Sequence, residues 1–151
     1  MDMEYSCGAV VFTRKDGGLR YVVVQEMEGA YSFPKGHMEG SETEEETAAR
    51  EVFEEIGLNP QFLAGFRRTD KYDLKEKPGT RKRVTYFLAE YSGEPLVPRP
   101  GEIRRILVIP FEEALPLFDH EGTRELFRDA NDFLVCRFEK KDSAASASEE
   151  A

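Results

Sequence analysis

Apolar, β-branched runs open the chain. Tyr5–Thr13 (YSCGAVVFT) and Leu19–Met27 (LRYVVVQEM) read as strands, and the KDGG between them is a hairpin signal. A short apolar piece, YSF, leads into Pro34. The pattern then changes period, and Thr43 to Ile56 reads as a helix, with Gly57 as its C-cap and Pro60 barring continuation. On that helix Ala49, Val52, Phe53 and Ile56 form the predicted core face, and Glu51, Glu54 and Glu55 fall opposite. QFLAGFRRTDKYD and RKRVTYFLAEY read as two strands around a Pro-Gly-containing loop, and RRILVIP as a further strand. FEEALPLF predicts a short helix. Thr123–Phe138 predicts a longer one, with Leu126, Phe127, Phe133 and Leu134 near helical spacing. With no repeat or linker, residues 1–140 read as one domain, and the small, polar residues 141–151 are expected to be disordered. Strands, helix, strands and helices in that order predict an α/β domain with a mixed sheet.

Composition narrows the function. The chain has 151 residues, 40% apolar and 34% charged, enough for one core. No apolar run approaches the ~20 residues that span a bilayer, so no membrane association is expected. The N-terminus has no signal-like charged start and long apolar stretch. Cys7 and Cys136 are too few for a disulfide framework, which points to reduced, partly buried thiols and a cytoplasmic location. A net charge of −9 argues against nucleic-acid binding, and no feature points to an obligate protein partner. The charge is uneven. Arg67–Arg83 holds eight basic residues against three acidic ones, a balance of +5 that leaves −14 on the remainder. Such a segment suits either a solvated hairpin or contact with a metal-bound, phosphate-rich ligand.

The acidic helix has structural reasons for part of its charge. Ser41 with Glu44, or Thr43 with Glu46, fits a capping box. The spacing of Glu42, Glu46 and Arg50 allows Arg50 to pair back along the helix. Glu51, Glu54 and Glu55 are less easily explained. Their i, i+3, i+4 spacing makes them neighbours, and the Glu51–Glu55 pair costs a few tenths of a kcal/mol without a counter-ion. A hard dication such as Mg²⁺ removes that cost.

The longer spacing is more specific. Gly36, five residues, Glu42, seven residues, Arg50-Glu51-Val52, one residue, Glu54-Glu55, one residue, Gly57-Leu58 resembles the Nudix box G-x5-E-x7-R-E-U-x-E-E-x-G-U, with U apolar. The resemblance implies an α/β/α sandwich with a mixed sheet and hydrolysis of a nucleoside diphosphate linked to another moiety, using Mg²⁺ or Mn²⁺. Carried over by position, Glu51 and Glu55 would be the main metal ligands. Glu54 would be a third ligand or the base that activates water, Arg50 would orient Glu51, and Glu42 would brace the loop or reach an outer metal. Lys35 could hold a phosphate oxygen or steady the leaving group, with its carbonyl on the metal, and His37 could contact phosphate or shape the loop.

FPKGHMEG, the early CGAVVF, the loop GFRRTDKYDLKEKPGTRKRVTYFLAEY and NDFL on the last helix resemble the asymmetric diadenosine tetraphosphate hydrolases. That likeness implies a small nucleotide substrate cleaved to ATP and AMP. The +5 balance of Arg67–Arg83 puts Lys82 and Arg83 forward as phosphate contacts. Tyr72 and Phe133 would sandwich an adenine, and Glu102 stands where a later acidic residue is expected. The chain departs from the pattern at Tyr31, where Trp is usual, and at Ser41, Ile103 and Val108. The alternatives are a diphosphoinositol polyphosphate hydrolase, a nucleoside triphosphate pyrophosphohydrolase, and a non-catalytic nucleotide-sensing domain. The last would be expected to lack a box carboxylate.

Overall fold

β1 (Asp2–Lys15) is buried on both faces, which fixes its place inside a two-sided sheet. Its Val10 and Phe12 enter one core and its Ala9 and Val11 the other. This computed structural model describes the backbone of residues 2–150 and the side chains of residues 2–138. β1 turns through Asp16 (φ 52°) and Gly17 (φ 79°) into β2 (Gly18–Glu26), so the hairpin loop is the two-residue Asp-Gly of KDGG. β1 also runs parallel to β6 (Thr80–Glu90), and β6 pairs antiparallel with β5 (Gln61–Asp73). β7 (Ile103–Pro110) and the two-residue β3 (Tyr31–Ser32) flank β2. The sheet is therefore mixed.

One feature of the ladder opens the site. β1 pairs with β2 over Val11–Lys15 but with the three-residue β4 (Lys35–His37) over Ser6–Gly8. The two partners part along one edge of β1, and a cleft forms where β2 ends.

Helices cover both faces. α1 (Glu44–Ile56) closes one core with Val52 and Ile56. α3 (Glu121–Glu150) closes the other with Leu126, Phe127 and Leu134, alongside Phe33, Tyr86 and Phe118. α2 (Phe111–Ala114) and a 3-10 turn at Leu115–Leu117 lead into α3. The expectation of disorder for 141–151 falls on residues whose side chains lie outside the described set.

Candidate active site

α1 begins with the capping box predicted at Thr43. The Thr43 hydroxyl accepts from the Glu46 N–H at 3.1 Å, and Glu46 accepts from the Thr43 N–H at 2.9 Å. Gly57 ends the helix with φ 74°. Between these caps the buried face is not the predicted one. Thr47, Ala48, Glu51, Val52, Glu55 and Ile56 are buried, and Phe53 is 52% exposed. Glu51 and Glu55 thus lie on the same stripe as Ala48 and Val52, while Glu54 stands in solvent. The apolar pattern misplaced the face because two of its members are carboxylates.

These two carboxylates are costly to bury. Desolvation pushes the Glu55 carboxyl up to about 8, against the Lys35 N–H that donates to it at 3.1 Å. Glu51 is raised by the same cause, opposed by Arg50. A Cβ at Gly36 would overlap the Glu51 carboxylate, so only glycine leaves room for it there.

Arg50 ties the loop to the helix. It donates to Glu42 at 2.8 and 3.0 Å, to Glu51 at 2.8 Å, and to the His37 carbonyl at 2.8 Å. Glu42 also accepts from the Glu39 N–H and the Thr47 hydroxyl, both at 3.0 Å. The Arg50 hydrogen bonds hold its carboxyl down to about 2. Arg50 therefore links Glu42, Glu51 and the His37 carbonyl, and Glu42 links the Glu39 backbone to Thr47. Glu46, committed to the cap, is not among Arg50's partners.

The cleft beside these groups measures about 530 Å³ and is lined by Glu51, Glu54, Glu55, Lys35, His37 and Glu102, among others. A second hollow of about 440 Å³ adjoins it, and Glu26, Glu28, Lys35 and Lys82 line both. The second hollow ends on Tyr72, Phe118 and His120. Tyr72 is half-buried and stacks on His120, with centroids 4.9 Å apart and planes 17° apart. The two hollows thus form a trough with the box carboxylates on one side, Lys35 and Lys82 together with Glu26 and Glu28 where they meet, and an aromatic pair on the other.

The basic segment contributes less than its charge suggests. Along β6 the side chains alternate, so Lys82 faces the trough while Arg83 lies on the other face, over the Tyr5 ring and 3.6 Å from Glu44. Desolvation and the nearby Lys35 lower the pKa of Lys82. Arg81 pairs with Asp73, Arg67 with Glu44 and Lys77 with Glu4. The structure does not bring Phe133 to Tyr72 either. Phe133 packs edge-on to Phe66 and over Gly65.

The donor set suits a hard dication: two buried carboxylates whose ionisation burial disfavours, beside a half-buried third at Glu26. Among the described residues no three such groups yet form a closed ligand set. Glu54 is turned instead onto Arg50 and Arg99, 3.3 Å from each. The sequence reading passed over Glu26, Arg99 and His120. Only Arg99, bracketed by Pro98 and Pro100, carries a local sign of being held in place.

The NUDIX domain model matches residues 5–130. The chain is 31% identical to the mutator protein MutT4 of Mycobacterium tuberculosis over 104 residues, which are 69% of this chain but 42% of that protein, so it spans less than half of that relative's length. It is 30% identical to the mouse bis(5'-nucleosyl)-tetraphosphatase [asymmetrical] over 85% of this chain and 94% of that one. A solved Caenorhabditis elegans Ap4A hydrolase binary complex superposes with a TM-score of 0.80 at 23% identity, over 87% of this chain and 98% of that one, a likeness of fold. Fold, box and family model agree, and the chain belongs to the Nudix family.

Proposed function

We propose that this protein is a metal-dependent hydrolase of nucleoside polyphosphates that cleaves diadenosine tetraphosphate asymmetrically to ATP and AMP. The observation that carries this reading is the pair of adjoining hollows, which share Lys35 and Lys82, with Glu26 and Glu28, between the box carboxylates and the Tyr72–His120 stack. A substrate with a long polyphosphate and a flat base matches those three parts in order. The names of the mammalian relatives, matched over nearly their whole length, favour the same substrate.

Glu51 and Glu55 would hold Mg²⁺ or Mn²⁺, which neutralises phosphate charge and lowers the pKa of the attacking water. Arg50 keeps Glu51 turned toward the cleft. Glu54, on the exposed side of the cleft, would join the metal as a third ligand or accept the proton of the water, and Glu102 stands nearby at the rim. Lys35 and Lys82 bind bridging and terminal phosphate oxygens, where positive charge stabilises the transition state of an in-line displacement. Tyr72 supplies the stacking surface for one adenine, and the exposed His120 ring gives way to it. The free thiols Cys7 and Cys136 suit a reducing cytosol, the location we propose. Among the described residues no helix is long and apolar enough to cross a membrane.

The test is a substrate panel with Mg²⁺ and with Mn²⁺: diadenosine polyphosphates, nucleoside triphosphates, nucleotide sugars and diphosphoinositols. Diadenosine tetraphosphate should give the highest kcat/KM, with ATP and AMP in equal amounts. Two ADP, or faster turnover of a diphosphoinositol, would overturn the assignment.

A further inference from the structure

The C-terminal end of α1 has no basic residue in its own last turn. A distant segment supplies one. The loop between β6 and β7 contains Val97-Pro98-Arg99-Pro100-Gly101-Glu102. The Val97 N–H donates to the Ile56 carbonyl at 2.9 Å, and the Arg99 N–H donates to the Glu55 carbonyl at 3.1 Å. These are carbonyls that the helix itself leaves unpaired. The Arg99 carbonyl then accepts from the N–H groups of Glu102 (3.2 Å) and Ile103 (2.9 Å), which closes the loop on itself. Proline on both sides restricts the Arg99 backbone further. So the backbone of Arg99 is fixed against the helix that carries the box carboxylates, whereas its side chain is held only by ion pairs.

Those pairs are informative. Arg99 Nη1 lies 3.3 Å from Glu54 Oε2 and 3.5 Å from Glu102 Oε2. Glu54 is also served by Arg50 at 3.3 Å, so it does not depend on Arg99 for a counter-charge. The Arg99 and Glu54 side chains are 41% and 37% exposed, which places their pairing among the weak, exchangeable ones. Arg99 also lines the cleft, as do Lys35 and Lys82.

From this we infer that Arg99 is a phosphate-binding residue that rests on Glu54 and Glu102 and is released to the substrate when dications take those carboxylates. The inference rests on the hydrolase reading above. It gives Arg99 two opposed effects. In the protein without substrate, the guanidinium competes with a dication for Glu54 and Glu102. With a polyphosphate present, the same group, freed, donates to phosphate oxygens at the carboxylate end of the trough, where a planar, bidentate donor suits them. A merely structural arginine would have neither effect, because the loop is anchored by backbone hydrogen bonds that substitution of the side chain leaves intact.

The experiment compares wild type, Arg99→Gln and Arg99→Lys. Mn²⁺ binding is measured without substrate by isothermal titration and by the electron paramagnetic resonance signal of the free ion. Loss of an exposed competing pair should tighten Mn²⁺ binding in Arg99→Gln by roughly threefold. Arg99→Lys should stay near wild type. In turnover, Arg99→Gln should raise KM for diadenosine tetraphosphate about tenfold, the scale of a hydrogen bond to a charged group, and Arg99→Lys should recover part of it. Unchanged or weaker Mn²⁺ binding in Arg99→Gln, with melting as in wild type, overturns the inference, as does an unchanged KM. If wild type itself binds no Mn²⁺ and hydrolyses no phosphoanhydride, it is the hydrolase reading that fails. If Arg99→Gln does not fold, Arg99→Met carries the same test, because the loop's backbone hydrogen bonds do not involve the side chain. Mn²⁺ binding no tighter than wild type, or an unchanged KM, in a folded Arg99→Met overturns the inference.

Discussion

The acidic helix α1 and the basic hairpin of β5 and β6 are both charge runs in the sequence, yet they spend their charge differently. On α1 the run divides by face. Glu44 and Glu46 serve the hairpin and the cap, while Glu51 and Glu55 are drawn into the buried stripe at an energetic cost that burial alone imposes. On the hairpin most of the charge is paired off at the surface with Asp73, Glu4, Glu44 and Asp129, and Lys82 is carried into the trough by strand alternation. Local charge density therefore does not mark a site. A charge becomes functional where the fold removes it from water and leaves a cleft in front of it.

The comparison breaks most sharply at Glu55. Glu55→Gln should lower kcat/KM by on the order of 10³-fold while the fold survives, because a metal ligand contributes several kcal/mol to transition-state stabilisation. Near-normal kcat with Mg²⁺ would remove Glu55 from the metal site. Within the hairpin, Lys82→Met should raise KM for diadenosine tetraphosphate ten- to a hundredfold, as expected for a charge-assisted phosphate contact. Arg83→Met should stay within about twofold, since exposed pairs contribute little. Equal effects at the two positions would mean that the segment acts as a diffuse field rather than through one residue.

A smaller effect belongs to the aromatic end. Tyr72→Ala should raise the same KM about tenfold and leave a base-free polyphosphate unaffected. Phe133→Ala should instead lower the melting temperature with little change in KM, because its ring packs on Phe66 and Gly65. The reverse outcome would restore the Tyr72–Phe133 sandwich that the sequence suggested.

An effect of another kind is on stability. Burial raises the Glu55 pKa to about 8 from its ordinary 4.5, so the fold keeps a proton that the unfolded chain has released. Metal-free stability should therefore fall as pH rises from about 4.5 to about 8 and level off above. Glu55→Gln should remove that part of the slope in a pH series of thermal melts. An unchanged slope would assign it to other groups.

Much of this was legible in the sequence for physical reasons. The box from Gly36 to Leu58 records contacts that are local or nearly so: Gly36 under Glu51, Arg50 beside Glu42 and Glu51, and caps at Thr43 and Gly57. Spacing along a helix is enough to find them. The runs of β1, β2 and β6 were found because their central residues are buried on both sides. β4 was missed, being three residues whose only reason to be a strand is the split edge of β1. Phe53 was assigned to the core because a helical wheel weighs apolar residues and cannot know that carboxylates hold the buried stripe. Arg99 and His120 reach their partners across 45 and 48 positions, at Glu54 and Tyr72, and no local pattern encodes such meetings.

The central claim is that the buried carboxylates of α1 are the main hold on the dication, and that the exposed glutamates of its first turn take no part. It is tested most directly by isothermal titration of Mn²⁺ into wild type, Glu55→Gln and Glu45→Gln at one pH and salt concentration. Glu45 is an exposed glutamate on the first turn of the same helix. The account predicts that Glu55→Gln weakens Mn²⁺ binding at least about tenfold while Glu45→Gln matches wild type. Equal losses in the two variants would show that the helix attracts the ion by its overall charge, and would contradict the account.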